Sequence, residues 1–161
     1  MKAITLWDPW ASLIALGEKK IETRSWKTDY RGPLAIHAAK RPMDKIVWYE
    51  PFYSALSPMR LDHELPSMIR RYPGCIIATC NLVGCYPIIQ EDTDCEIAIA
   101  DAGDHHIVIA GNEYYFGDYT PRRYAWMLSD IKAIVPIPAK GFQRLWNWDE
   151  RREEDMEGRT K

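Results

Sequence analysis

The fifteen residues Cys75–Ile89, CIIATCNLVGCYPII, are rich in β-forming side chains and carry a glycine at position 84. Such a run predicts one long strand, bent at Gly84, and a domain organised around a sheet. Shorter β-type runs surround it. Met1–Leu6 and Lys20–Trp26 read as strands, and Leu34–Ala39 (LAIHAA) follows an Arg31-Gly32-Pro33 turn as a buried one. Tyr124–Leu128 and Ala133–Ile137 read as further strands, with Ser129–Lys132 as a link or a continuation. Glu91–Asp118 is acidic and glycine-rich, and predicts a loop enclosing a hairpin of His106–Ala110 with Glu113–Phe116. Ala139–Trp148 has a mixed pattern.

Helical signals are confined to the first half. Asp8-Pro9 is a helix start, because a cap acceptor precedes a residue suited to the first helical position. Trp10, Leu13 and Ile14 then share one face, and Gly17 is a stop, so the first helix is expected over Pro9–Leu16. Pro42–Ser57 and Met59–Arg71 also look helical, broken at Pro51 and Pro66 and ended by Pro73-Gly74. Short strands with helices inserted early indicate an α+β protein with a barrel-like sheet.

The chain of 161 residues is one domain's length, with 47% hydrophobic and 27% charged residues. A formal charge of −2 excludes a polybasic binder that works by bulk electrostatics. The charge is unevenly spread, however. Residues 1–73 hold 12 basic and 8 acidic side chains, whereas residues 74–148 hold 5 and 9. Residues 17–45 alone carry eight Lys and Arg against four acids, which leaves room for a small basic cleft. Alternatively, the two halves interleave in space and their charges mix. We expect a domain over residues 1–149 and a charged, disordered tail over residues 150–161. The first twenty residues lack a signal-peptide pattern and no run is long and apolar enough for a membrane span, so a cytoplasmic protein is expected. Cys75, Cys80, Cys85 and Cys95 form no CxxC motif, which argues for buried free thiols and against zinc.

The stretch Gly17–Arg24, GEKKIETR, carries the most chemistry. Glu22 and Arg24 fall on one strand face about 7 Å apart. A guanidinium fork beside a carboxylate matches the mixed donor and acceptor edge of a nucleobase. Lys19 supplies a point charge, or a base if burial lowers its pKa. An exposed Lys/Glu/Arg cluster of little energetic consequence is the competing reading. Trp7 and Trp10 bracket the helix start at Pro9, where free N–H groups favour an anion. Trp10 fits the buried helix stripe, which leaves Trp7 as the aromatic for stacking on a base. His37 has small neighbours, Ala35 and Ala39, that leave space for a ligand or for packing. Lys40 closes the same strand and would extend a basic rim with Lys19 and Arg24. Lys140, in an Ala-Lys-Gly turn, is a further binding candidate. His105 and His106 sit beside Asp101 and Asp104, but adjacent strand residues point apart and no metal or other cofactor is expected.

GEKKIETR fits the G-x-K-x-x-E-x-R signature of the ASCH domain, a family with the PUA-like superfold. The flanks also resemble it: Leu6-Trp7-Asp8-Pro9-Trp10-Ala11, the turn and strand Arg31–Lys40, Tyr124-Ala125-Trp126, and Pro136–Asp149. The resemblance implies a small β-barrel with helices packed around it, and a cleft where the signature meets the start of the first helix. It also implies binding of RNA, a nucleotide or a modified nucleoside, with Gly17, Lys19, Glu22 and Arg24 at the signature positions. Some small bacterial members are amidohydrolases acting on N4-acetylcytidine, with a Lys at the position of Lys19 and a Thr where Glu22 stands. This chain keeps the Lys and lacks the Thr, so Lys19 and Glu22 would have to carry any such catalysis. Ribonuclease activity is a further alternative within the family. Outside it, the acidic segment 91–118 could serve as a protein-interaction surface.

Overall fold

A computed structural model describes residues 1–56, 69 and 72–149. The expected helix over Met59–Arg71, save for Ile69, and the expected tail therefore lie outside the described residues. The chain forms β1 (Lys2–Leu6), α1 (Trp10–Ala15), β2 (Ile21–Arg24), β3 (Gly32–Ala38), a 3-10 turn (Lys45–Trp48) and α2 (Phe52–Ala55). It continues with β4 (Cys75–Asp92), β5 (Ile97–Asp101), β6 (His106–Ile109), α3 (Asn112–Tyr115), β7 (Tyr124–Pro138) and β8 (Leu145–Asn147). The protein is thus mostly sheet with a few short helices.

The long strand is the organiser. β4 pairs antiparallel with β3 on one side and with β7 on the other, and its far end pairs with β5. Its register with β7 shifts between Leu82 and Gly84, the expected bend. Ser129–Lys132 is a continuation, so β7 is a single strand. The sheet order is β2-β7-β4-β3-β1-β8, with the β5–β6 pair branching off β4. That order is an open path ending at β2 and β8, so strand pairing does not close the expected barrel.

The main core lies between the inner face of β1, β3, β4 and β7 and helix α1. Ile4, Leu34, Ile36, Leu82 and Trp126 pack there against Ala11 and Ile14. A second cluster joins Leu13 to Val47, Phe52 and Phe116, which seats the 3-10 turn, α2 and α3. Among the tryptophans, Trp126 and Trp148 are fully enclosed, whereas Trp7 and Trp48 are exposed. Cys80 and Cys85 are buried free thiols as expected, but Cys95 is exposed.

Two expectations fail for identifiable reasons. Glu113–Phe116 is a helical turn, and the partner of β6 is β5. Gly111, at φ 62, turns the chain so that the Phe116 N–H reaches the Asn112 carbonyl at 3.1 Å. The Glu113 carboxylate then ties this turn to β2, a tertiary contact that outweighs the β propensity of Tyr114, Tyr115 and Phe116. The helix expected over Pro42–Ser57 is reduced to the 3-10 turn and one turn of α2. Pro51 lacks an N–H and restricts Glu50, while the Asp44 side chain caps Ile46 at 3.1 Å, so two short pieces replace one helix.

Candidate nucleotide-binding site

The first helix forms where expected, shorter by one residue at each end. Asp8 Oδ1 accepts from the Ser12 N–H at 3.1 Å and from its hydroxyl at 2.7 Å. The Ala11 N–H bonds the Trp7 carbonyl at 3.1 Å, so these donors are spent within the chain. Gly17, at φ 79, ends the helix, and the Glu18 and Lys19 N–H groups both return to the Leu13 carbonyl. This tight return turns the Lys19 side chain inward and leads directly into β2.

Lys19 is fully buried. Its Nζ donates to the Ile21 carbonyl and lies 3.7 Å from Glu113 Oε1. Burial lowers the Lys19 pKa, while Glu22 and Glu113 oppose that shift. Glu113 also accepts from the Lys20 N–H at 2.7 Å and the Ile21 N–H at 3.1 Å. The buried Tyr119 hydroxyl donates to the Glu113 carbonyl at 3.2 Å and approaches its carboxylate at 3.4 Å. Burial and the neighbouring acids raise the Tyr119 pKa and keep its hydroxyl protonated. Here the basic first half meets the acidic second half, and the charges interleave.

One strand position further, Glu22 and Arg24 face a cavity of about 400 Å³. Glu22 Oε1 lies 3.7 Å from Arg24 Nη1. Arg24 Nη2 reaches the Thr5 carbonyl at 3.5 Å, and its buried Nε has no hydrogen-bond partner. Trp7, Trp10, Ile46 and Tyr115 supply apolar wall, and Asp118 and Arg123 close the polar side. Asp118 and Arg123 are ion-paired at 3.3 Å. Trp10 is half-buried, packs edge-on against Phe52 and still contributes to the cavity. The guanidinium of Arg41 sits over the Trp7 ring, 3.3 Å from its centroid, so one ring face is already covered.

The structure thus brings Trp7, Glu22 and Arg24 together, with Lys19 in the buried layer and not on the cavity wall. Pro9 is buried at the helix start and is not part of the wall. His37 is buried elsewhere: its Nε2 lies 3.0 Å from the Ala139 carbonyl and its ring meets Trp146 edge-on at 5.8 Å. Lys40 runs alongside Gly74, and Lys140 is exposed with its Nζ 5.6 Å from the Phe142 ring. No basic rim of Lys19, Arg24 and Lys40 forms. Glu113 is not legible as a site residue because it falls in the strand expected over Glu113–Phe116, and Tyr119 lies just past the acidic segment with no pattern to mark it. Gly111, a turn glycine that takes the N-cap position of α3, was the available signal for a helical turn there.

Among the described residues, no helix is long and apolar enough to cross a membrane. The profile of the ASCH domain matches residues 4–138. The chain is 33% identical to human activating signal cointegrator 1 and 30% identical to the mouse protein, over 91% of its own length in each case. It spans 22% of the length of those relatives. A crystal structure of ASCH from Zymomonas mobilis covers 99% of this chain and 95% of its own, at 16% identity and a TM-score of 0.49. With the signature residues Gly17, Lys19, Glu22 and Arg24 inside the matched region, the chain belongs to the ASCH domain family.

Proposed function

We propose that the cavity takes a single nucleobase, presented by RNA or as a modified nucleoside. The observation that carries this reading is the Glu22–Arg24 pair on the wall, with Arg24 Nε buried and unpartnered. An unpaired buried donor is costly, and a ligand acceptor removes the cost. Arg24 donors and Glu22 acceptors match a base edge, while Trp7 and Trp10 contact its faces. A volume near 400 Å³ is in the range of small-molecule sites. We further read the cavity as the open seam of a PUA-like barrel. β1 and β2 are not hydrogen-bonded neighbours, and the Arg24 side chain bridges them where backbone pairing is missing.

A nucleoside and mononucleotide panel, with N4-acetylcytidine included, tests this by thermal shift. Wild type should be stabilised by at least one member. Arg24→Ala should weaken that binding by about tenfold to a hundredfold, the loss of a charged hydrogen-bonding group. Equal binding by both proteins sinks the site assignment.

The burial of Lys19 favours a second reading, hydrolysis of an N4-acylated cytidine. An amine whose pKa is lowered is available to hold or accept a proton, and Glu22 reaches the cavity. Water activated by Glu22 would attack the acyl carbon, and the C–N4 bond would break with a proton delivered to N4. Chromatography of the same N4-acetylcytidine samples should then show cytidine and acetate. Intact substrate after prolonged incubation removes this reading and leaves the binding site untouched.

A further inference from the structure

We propose that residues 40–49 form a track for single-stranded RNA, leading away from the cavity mouth. The inference rests on the cavity as a base site, and it assigns the neighbouring nucleotides. Three contacts fasten this segment to the mouth. Arg41 stacks on Trp7, the Asp44 N–H bonds the Asp8 carbonyl at 2.9 Å, and Ile46 forms part of the cavity wall.

Beyond Ile46 the segment presents two large aromatic side chains to solvent. Trp48 is 57% exposed and Tyr49 is 63% exposed. From Ile46 to Tyr49, the residue just past the 3-10 turn, the chain advances at least about 6 Å, or one to two steps of stacked bases. Neither ring lines the cavity, and folding alone gains nothing from leaving a Trp and a Tyr so uncovered.

Charge points to the occupant. Lys40, Arg41 and Lys45 are exposed, and none is ion-paired among the described residues. The one acid within the segment, Asp44, is engaged in capping Ile46. Cations without an acidic partner, set beside exposed aromatics, suit a phosphodiester strand with unpaired bases. RNA presents unpaired bases routinely, whereas duplex DNA keeps them stacked, and this segment has no long helix or ribbon to enter a groove.

The test compares a fluorescein-labelled RNA hexamer with 5′-mononucleotides on the full chain. Wild type should bind the hexamer at least about tenfold tighter than the best mononucleotide. The double variant Trp48→Ala/Tyr49→Ala should lose about tenfold to a hundredfold in hexamer affinity and keep the mononucleotide thermal shift. Lys45→Glu, at an exposed position, should also weaken the hexamer and shallow its salt dependence. A hexamer that binds no tighter than a mononucleotide overturns the track, as does full affinity in the double variant. Tighter binding of a DNA hexamer overturns the assignment to RNA. If mononucleotides fail to bind while the hexamer still depends on Trp48 and Tyr49, the cavity reading falls and the track stands.

Discussion

Lys19 and His37 are both basic side chains, both buried, and both held toward the neutral form by loss of water. Their neighbourhoods differ. Around Lys19 lie two carboxylates, Glu22 from β2 and Glu113 from α3, with the Tyr119 phenol bonded to Glu113 and a cavity alongside. Around His37 lie a backbone carbonyl, the Trp146 ring and the backbone of Gly141. Burial alone therefore says little about function. Lys19 keeps its charged alternatives close by, whereas His37 is packed in, with Nδ1 left without a hydrogen-bond partner. The first arrangement holds a proton balance, and the second fills space between β3 and the segment leading to β8.

The largest expected effect comes from breaking the Lys19 cluster. Lys19→Ala removes the cation that Glu22 and Glu113 both act on. Removing one partner of a buried pair costs about 3–5 kcal/mol, and partial exposure of Glu113 places this case near 3 kcal/mol. Urea denaturation at neutral pH measures it. A loss below about 1 kcal/mol would mean that the carboxylates do not depend on the Lys19 cation, which would erase its contrast with His37.

Next in size is a change on the His37 side. A Cβ on Gly141 would lie 2.6 Å from His37 Nδ1 and 2.8 Å from Thr5 Oγ1, so this glycine allows a close approach. Gly141→Ala should cost about 1–3 kcal/mol through overpacking. It should leave the affinity of any cavity ligand unchanged, because Gly141 is not in the cavity wall. Loss of ligand affinity together with stability would show that the two regions are coupled, most directly through Thr5. That residue bonds the Trp146 indole with its side chain and accepts from Arg24 with its carbonyl.

The same contrast explains what the chain disclosed in advance. Glu22, Arg24 and the helix stop at Gly17 are local in sequence, so strand alternation and a glycine were enough to place them together. Trp7 was legible as the exposed aromatic of its pair. Glu113 was not, since it meets Lys19 across 94 positions and depends on Gly111 to turn a β-like run into a helical one. The burial of Lys19 was hidden for a related reason. It follows from α3 and Tyr119 covering the start of β2, which no pattern within GEKKIETR records. His37 was left open between ligand space and packing, and the small residues beside it admitted both. Gly141 filled that space from 104 residues away.

The smallest effect separates the two residues by their titration. The folded-state pKa of His37 lies below its ordinary value of 6.5, chiefly through burial and with Lys40 adding repulsion. Across the window from that lowered value up to 6.5, the unfolded chain holds the proton more often than the folded one. Stability therefore rises with pH through this window and falls as the solution is acidified below 6.5. The slope is at most about 1.4 kcal/mol per pH unit. His37→Gln removes the titrating group, so the wild-type minus variant difference should change between pH 6.5 and 5 and be flat from pH 7 to 8. Lys19 obeys the same sign, but its window ends at 10.5, its ordinary value. Urea midpoints taken across both ranges locate each residue's contribution separately. A difference that stays flat below pH 6.5 would show that His37 takes up its proton as easily folded as unfolded, which its packing against Trp146 and Gly141 forbids.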